Sequence, residues 1–297
     1  MTLHISTLAT KKVSSALVIS GSGRSGTTII GKLLHSMQGV EYAFEPPLLV
    51  TLLPLIQELD EISWKLLYET YLYEDFFISS LSGRAINTNR ADDSSIYQVK
   101  SDDEINSRLN YSIRKQEAEK SAESATIIYK LPNVVPFLPK LADYYPDTRF
   151  LIMKRDAVGT INSLIQKSWF SDVNVCTSMV WPYRSYGDVK IPSWVRKNDD
   201  ALWLDMSEID RCAYYYILVN EDVSKISNRI ELSYQALLLD PQATAHSLAQ
   251  SFGLNFGTKT QSIIDSIEPA KKERDIDILQ KISPTLAAKV AYYSNES

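Results

Sequence analysis

The chain has 297 residues, of which 44% are apolar and 23% are charged, and its formal net charge is −5 at pH 7. These proportions are those of an ordinary soluble globular protein, and no stretch approaches the roughly 20 apolar residues that cross a bilayer, so we expect no membrane partner. The negative charge excludes a general nucleic-acid or polyanion binder, which would carry a dense basic field. Two cysteines, Cys176 and Cys212, are too few for a disulfide framework and indicate a reducing, cytoplasmic environment.

Strands and helices alternate in the elements that the sequence predicts. Ser15–Ser20 is a β-branched run that ends at Gly21, and Thr28–Met37 continues with helical spacing of its apolar residues. Such alternation favours parallel strands joined by right-handed crossovers, with helices on both faces of the sheet. We therefore predict an α/β fold with a central parallel sheet, a three-layer sandwich like that of P-loop proteins, as a single domain over residues 1–297. The other predicted elements are strands at Val40–Phe44, Thr126–Lys130, Arg149–Lys154 and Arg229–Ser233, and helices at Val134–Tyr145, Val158–Gln166, Asp210–Ser227 and Pro241–Phe252.

Two segments interrupt this alternation. Leu48–Ala125 is mostly helical and polar in pattern, and Ser168–Asp205 is rich in aromatic residues. We interpret both as insertions that cap the edge of the sheet. The aromatic residues of the second insertion either stack on a flat or cationic ligand or belong to the core.

The segment between the first strand and the first helix is predicted to bind an anion. Its sequence, GSGRSGTT over residues 21–28, combines glycines with a helix N-terminus, where backbone N–H groups bind phosphate. The spacing of Gly21 and Gly26 is that of a Walker A loop, but Thr27 stands where that loop has lysine, and the cation is Arg24. A nucleoside triphosphatase also needs an Asp at a strand end to hold Mg²⁺, and no predicted strand ends in one. The alternative is a plain strand-to-helix connection.

The order strand, Arg-Ser-Gly-Thr-Thr, helix resembles the 5′-phosphosulfate loop of the sulfotransferases that use 3′-phosphoadenosine 5′-phosphosulfate (PAPS). Many cytosolic members have lysine in this loop, whereas carbohydrate and tyrosylprotein branches have arginine, as at Arg24. The resemblance implies that the chain uses PAPS, releases the product PAP and needs no metal. The residues that it implies at the 5′-phosphate and the sulfate are Gly23, Arg24, Ser25, Gly26, Thr27 and Thr28.

A second matching segment follows the predicted strand Arg149–Lys154. Arg155 and Asp156 follow that strand, and Ser163 comes eight residues after the arginine. This pattern resembles the family's 3′-phosphate element and implies that Arg155 and Ser163 hold that phosphate. Ala157 replaces the proline that is usual in the family, which only presets the start of a helix. The alternative is a surface ion pair between Arg155 and Asp156.

Further segments extend the resemblance to about residues 16–45 and 126–256. Tyr129–Pro132 resembles a lysine-x-proline stretch of the family, and the residues from Ser233 to Pro241 resemble a late stretch in which Tyr234 is implied to bind the cofactor. Lys272 and Arg274 lie in a basic run where many members have a loop that closes on the 3′-phosphate. A charge run of this length is otherwise a solvated surface.

Sulfuryl transfer requires cations at the developing charge, a base for the acceptor proton and an acceptor in line with the leaving oxygen. Arg24 and Lys130 are the candidate cations, because one lies in the loop and the other at a strand end beside it. Glu45 is the candidate base, because it follows the strand Val40–Phe44, and Phe-Glu-Pro resembles the carbohydrate branch, whose glutamate is the base. A surface or helix-capping Glu45 is the alternative. The histidines are less suitably placed: His4, His35 and His246.

These features predict a cytoplasmic sulfotransferase that passes a sulfuryl group from PAPS to a hydroxyl or amine of a small-molecule acceptor. The acceptor is a natural product, another secondary metabolite or a carbohydrate, and both insertions are expected on its side. Acidic clusters at Asp92-Asp93 and at residues 102–104 indicate either a cationic acceptor or solvated loops. Two alternatives from other classes are a PAP- or PAPS-binding module without turnover and a P-loop kinase or NTPase. The sequence carries no signal of oligomeric state.

Overall fold

The structure is a computed structural model that describes residue 3 and residues 5–92, 94–110, 115–173, 182–268 and 276–295. Five parallel strands form its central sheet, and two more pair as an antiparallel hairpin, so the predicted α/β fold is confirmed. The sheet strands are β1 (Leu17–Gly21), β2 (Val40–Phe44), β3 (Thr126–Lys130), β4 (Arg149–Lys154) and β7 (Arg229–Ser233), and the hairpin strands are β5 (Tyr183–Tyr186) and β6 (Val189–Pro192).

The order of the sheet strands is β2-β3-β1-β4-β7, which puts β1 in the centre. All five residues of β1 are buried, as expected for a parallel strand covered on both faces. Side chains alternate between the faces, so that Val18 joins one apolar core while Leu17 and Ile19 join the other. The sheet therefore separates two cores, and helices close each of them from outside.

The helices fall on the two faces of this sheet. The face of Val18 is covered by the helices that begin at Thr7, Leu138, Ala157 and Glu208 together with much of the first insertion. The face of Leu17 is covered by the helices that begin at Thr27, Tyr234, Pro241 and Thr260. Along the described chain no helix has both the length and the apolar character needed to span a membrane. The α-helices are α1 (Thr7–Ser14), α2 (Thr27–His35), α3 (Pro47–Leu52), α4 (Glu61–Glu69), α5 (Ser79–Leu81), α6 (Asp102–Asn110), α7 (Lys115–Ala122), α8 (Leu138–Tyr144), α9 (Ala157–Ile165), α10 (Asp200–Asp205), α11 (Glu208–Val223), α12 (Tyr234–Leu239), α13 (Pro241–Phe252), α14 (Thr260–Asp265) and α15 (Pro284–Asn295).

Shorter helical segments account for the main differences from the predicted elements. The helix predicted over Val134–Tyr145 begins instead as a 3₁₀ segment, because Pro136 has no N–H to donate to an α-helical bond. In the first insertion, a π-helical segment connects α4 to α5. These segments are 3₁₀ at Pro54–Gln57, Ile96–Gln98, Pro132–Phe137, Lys197–Asp199 and Ile276–Lys281, and π-helical at Thr70–Ile78.

Both insertions contribute to the core as well as to the edge of the sheet. In the first insertion, Trp64, Tyr68 and Phe77 are fully buried on the Val18 face. In the second, Trp194 and Trp203 are buried and their rings lie 5.2 Å apart. These two tryptophans therefore belong to the core and are not an exposed stacking surface for a ligand.

Candidate phosphate loop and ion-pair site

The loop between β1 and α2 lies at the carboxyl end of the parallel strands, where ligands bind in sheets of this kind. Gly21 (φ 131°) and Gly26 (φ 90°) both have positive φ, which only glycine adopts readily. Gly26 is also the N-cap of α2, and no side chain caps the helix there. The first N–H groups of α2 therefore have no side-chain partner from the cap, which leaves them suited to an anion.

A tyrosine from α11 fixes the shape of this loop. The backbone N–H of Gly23 donates to Tyr215 Oη at 2.8 Å, and that hydroxyl donates to Asn133 Oδ1 at 2.9 Å. Tyr215 is fully buried, so both bonds form away from water. A Cβ at position 23 would lie 2.6 Å from the ring of Trp169. Gly23 is therefore required for packing as well as for the bond to Tyr215.

We expect Tyr215→Phe to lower the free energy of unfolding by about 1–3 kcal/mol, because it leaves the buried Gly23 N–H and Asn133 amide without their shared partner. Urea unfolding followed by circular dichroism measures this change. Tyr183→Phe is the control, since the Tyr183 ring is exposed on the hairpin. Equal stability of the Tyr215 variant and the unchanged protein would contradict a supporting role for the hydroxyl.

Two arginines meet on one side of the loop. Arg155, which follows β4, donates from Nη1 to the carbonyl oxygen of Arg24 at 2.5 Å. Arg24 itself donates from Nε to Ser163 Oγ at 3.1 Å. The guanidinium of Arg155 also lies 4.9 Å from the ring of Tyr234, and that ring packs against Gly26. The structure therefore brings together five residues that the sequence analysis assigned to the cofactor: Arg24, Gly26, Arg155, Ser163 and Tyr234.

The other side of the loop carries an ion pair. Lys130 Nζ at the end of β3 lies 2.6 Å from Glu45 Oε1 and donates to Thr28 Oγ1 at 2.9 Å. Burial lowers the pKa of Lys130, the carboxylate of Glu45 raises it, and the charge of Arg24 lowers it. Glu45 follows β2 with a φ of 42°, an uncommon value for a residue other than glycine. The ion pair therefore stands at the end of β2 and β3, next to the start of α2.

The remaining predicted residues lie within the loop or outside the described ranges. Ser25 is buried, and its Oγ donates to the carbonyl oxygen of Ser22 at 2.6 Å. Thr27 is buried at the start of α2. Lys272 and Arg274 lie outside the described residues, so their predicted role stays a prediction. Within the ranges that the structure describes, no three acidic, histidine or cysteine side chains group in a way that could hold a metal ion.

Sequence patterns did not indicate Tyr215 or Asn133. Tyr215 lies in a run of three tyrosines within a helix, and spacing does not tell which of the three faces the loop. Asn133 lies in a 3₁₀ segment after β3. A polar residue just after a strand that borders the loop was the available signal for Asn133, because such residues converge at the carboxyl edge of a parallel sheet.

Comparisons with solved structures and with known sequences found the following similarities. Sulfotransferase STF9 from Mycobacterium avium is 11% identical, with a TM-score of 0.50 over 98% of this chain and 78% of that one. The sulfotransferase domain of the olefin synthase from Synechococcus PCC 7002 is 15% identical, with a TM-score of 0.46 over 93% of this chain and 86% of that one. Sulfotransferase STF1 from Mycobacterium tuberculosis H37Rv is 13% identical, with a TM-score of 0.44 over 96% and 81%. No curated protein sequence matches the chain.

The likeness to STF9 supports the fold alone, because so few residues are identical. The sequence profile of the sulfotransferase family is more informative, since it matches residues 16–258, which include the loop, the ion pair and both arginines. That match covers more than half of the chain and runs from β1 to beyond the last strand of the sheet. The chain therefore belongs to the sulfotransferase family.

Proposed function

We propose that the chain transfers a sulfuryl group from PAPS to a hydroxyl or amine of a small-molecule acceptor, acting as one domain. The observation that carries this proposal is the contact of Lys130 Nζ with both Glu45 Oε1, at 2.6 Å, and Thr28 Oγ1, at 2.9 Å. It joins a carboxylate, a cation and the phosphate loop in one place. A module that only senses PAP has no use for a carboxylate there.

The loop and its neighbours fit the donor PAPS. The uncapped N-terminus of α2 and the backbone of residues 23–28 suit the 5′-phosphate and the sulfate. Arg155 and Ser163 suit the 3′-phosphate, because a guanidinium and a hydroxyl both donate to phosphate oxygens. The ring of Tyr234 packs beside Arg155 and limits the directions in which that guanidinium turns.

Each residue of the ion-pair site has a proposed chemical task. PAPS supplies the sulfuryl group and a PAP leaving group. Glu45 accepts the proton of the acceptor hydroxyl or amine at a carboxylate oxygen, and Lys130 orients that carboxylate. Lys130 and Arg24 donate to oxygens on which negative charge grows. Burial of Lys130 strengthens this interaction, because little water competes with it.

Calorimetry with PAP and ATP tests the donor. We expect PAP to bind in EDTA and ATP to bind at least about tenfold more weakly, because ATP lacks the 3′-phosphate that charge-assisted bonds to Arg155 recognise. Repeating both titrations with Mg²⁺ is the control for a P-loop kinase or NTPase. Tight binding of ATP that depends on Mg²⁺, with no binding of PAP, would overturn the proposal.

A mass-spectrometric screen of acceptors with PAPS then separates an enzyme from a binding module. The enzyme adds one sulfuryl group to an acceptor and releases PAP. A protein that binds PAP but modifies no hydroxyl or amine in a broad panel would be the non-catalytic module instead.

A further inference from the structure

A cavity of about 390 Å³ lies between α2, β2 and the first insertion. Thr28 and Phe44 line it. Thr28 accepts a hydrogen bond from Lys130, and the centre of the Phe44 ring lies 4.3 Å from Lys130 Nζ. Phe44 is also the residue before Glu45 in the chain. The cavity therefore adjoins the ion-pair site. Its volume lies in the range of pockets that bind small organic molecules.

The lining residues of α2 give the cavity its long axis. Thr28, Lys32 and His35 all line it, and their spacing of four and three residues puts them on one face of the helix. At a rise of 1.5 Å per residue, Thr28 and His35 are roughly 10 Å apart along α2. The part of the wall that α2 supplies is therefore about 10 Å long and runs from Thr28, beside the ion-pair site, to His35.

Much of the cavity wall is apolar. Tyr42, Phe44 and Phe76 supply aromatic rings, and Ile86, Ile96 and Val99 supply aliphatic side chains. Such walls favour the faces of a flat apolar molecule over a sugar, whose many hydroxyls would lose their hydrogen bonds with water on burial.

The charged groups of the cavity wall already have partners. Glu41 accepts two bonds from Arg108, at 2.8 Å and 3.0 Å. Asp92 accepts from both the backbone N–H and the Oγ of Ser94 at 2.8 Å. Lys32 donates to Gln98. These pairings disfavour the cationic acceptor that the acidic residues had indicated, and Asp93 lies outside the described residues.

His35 is a polar group of the wall without such a partner. Its ring lies 5.7 Å from the ring of Tyr42, and it forms no hydrogen bond with any residue that the structure describes. Burial lowers the pKa of its imidazole well below the usual value, and the charges of Lys100 and Arg108 lower it further. The ring is therefore neutral at pH 7 and offers one donor and one acceptor to a ligand.

We propose that this cavity binds the acceptor, and that the acceptor is a small, flat, elongated aromatic alcohol with a second hydrogen-bonding group at its far end. Its reactive hydroxyl lies next to Glu45, its rings lie between the aromatic side chains, and its second polar group bonds to His35. The inference rests on the proposed function and narrows its acceptor from any small molecule to this class.

Binding to the PAP-loaded protein tests the inference without turnover. The probes are 2,6-dihydroxynaphthalene, 2-naphthol and N-acetylglucosamine, titrated by ligand-observed NMR. We expect the diol to bind about tenfold more tightly than 2-naphthol, since it gains one buried hydrogen bond, and the sugar to bind most weakly. Tighter binding of the sugar, or no binding of either naphthalene at millimolar concentration, would overturn the inference.

Two sets of variants locate the bound diol. Ala85 is exposed and lines the cavity, so Ala85→Trp is expected to lower the affinity for the diol at least tenfold. Ala243→Trp is the control, because Ala243 is exposed on α13 away from the cavity lining, and it is expected to leave that affinity unchanged. His35→Leu is expected to remove the preference for the diol over 2-naphthol, and His35→Gln to retain most of it. Unchanged diol binding in Ala85→Trp, or an unchanged preference in His35→Leu, rejects the cavity as the site. PAP binding is titrated separately for the unchanged protein and for each variant. If the unchanged protein does not bind PAP, the result rejects the proposed function and not the choice of cavity.

Discussion

Glu45→Gln is expected to lower kcat by about 10²- to 10⁴-fold, the contribution of a general base, while PAP binds as it does to the unchanged protein. The amide keeps the size of the carboxylate but cannot take the acceptor proton. It also leaves Lys130 without the carboxylate that lies 2.6 Å from its Nζ. Initial rates at saturating PAPS and acceptor measure kcat, and calorimetry measures PAP binding in the same preparation.

The control for this variant is Glu61→Gln. Glu61 is an exposed residue of α4 and forms a surface ion pair with Lys65, so the same change there is expected to leave kcat within about twofold. Wild-type turnover in Glu45→Gln would show that another group accepts the proton. Loss of PAP binding together with turnover would show instead that Glu45 shapes the donor site.

Arg155→Met is expected to remove most of the preference of the protein for a 3′-phosphate. The unchanged protein should bind PAP at least about 100-fold more tightly than adenosine 5′-monophosphate, because two donors, Arg155 and Ser163, meet the extra phosphate. In the variant we expect PAP affinity to fall by a factor of about 10 to 100, while the affinity for the monophosphate changes little. Calorimetric titration with both nucleotides gives the ratio directly.

Arg149→Met is the matched control, because Arg149 begins the same strand at the end away from the loop. Arg155 also donates to the Arg24 carbonyl oxygen. If the substitution only disturbed the loop, the affinities for both nucleotides would therefore fall equally. An equal loss would therefore contradict a specific role for Arg155 at the 3′-phosphate. An unchanged ratio between the two nucleotides would contradict it as well.

Local sequence was sufficient for most of the sheet and for the loop. The bounds predicted for β2, β3, β4 and β7 are those that the structure has, because each strand is a short run in which apolar residues are consecutive or alternate with polar ones. The structure also bears out the predicted helix start after the loop glycines to within one residue. The strand ends, with parallel pairing, were enough to expect Arg24, Lys130 and Arg155 near one edge.

Contacts between distant parts of the chain were not predictable in this way. The bond from Gly23 to Tyr215 joins residues 192 positions apart, and nothing in the tyrosine run marks which ring reaches the loop. The sequence left two interpretations open for the aromatic rings of the second insertion, a ligand surface or the core, and the structure buries Trp194 and Trp203 against each other. Such pairings depend on helix rotation and packing, which a local pattern does not encode.

The sequence by itself determined the order of strands and helices, the phosphate loop and the residue types that suit sulfuryl transfer, since backbone preference and hydrophobic periodicity act over a few residues. Only the tertiary structure decided that Glu45 pairs with Lys130, that Arg155 supports the loop through the Arg24 carbonyl oxygen, and that His35 lines a cavity beside the ion pair. Each of these depends on how strand ends and helix faces meet in space. The packing of the two apolar cores on the two faces of the sheet determines these contacts.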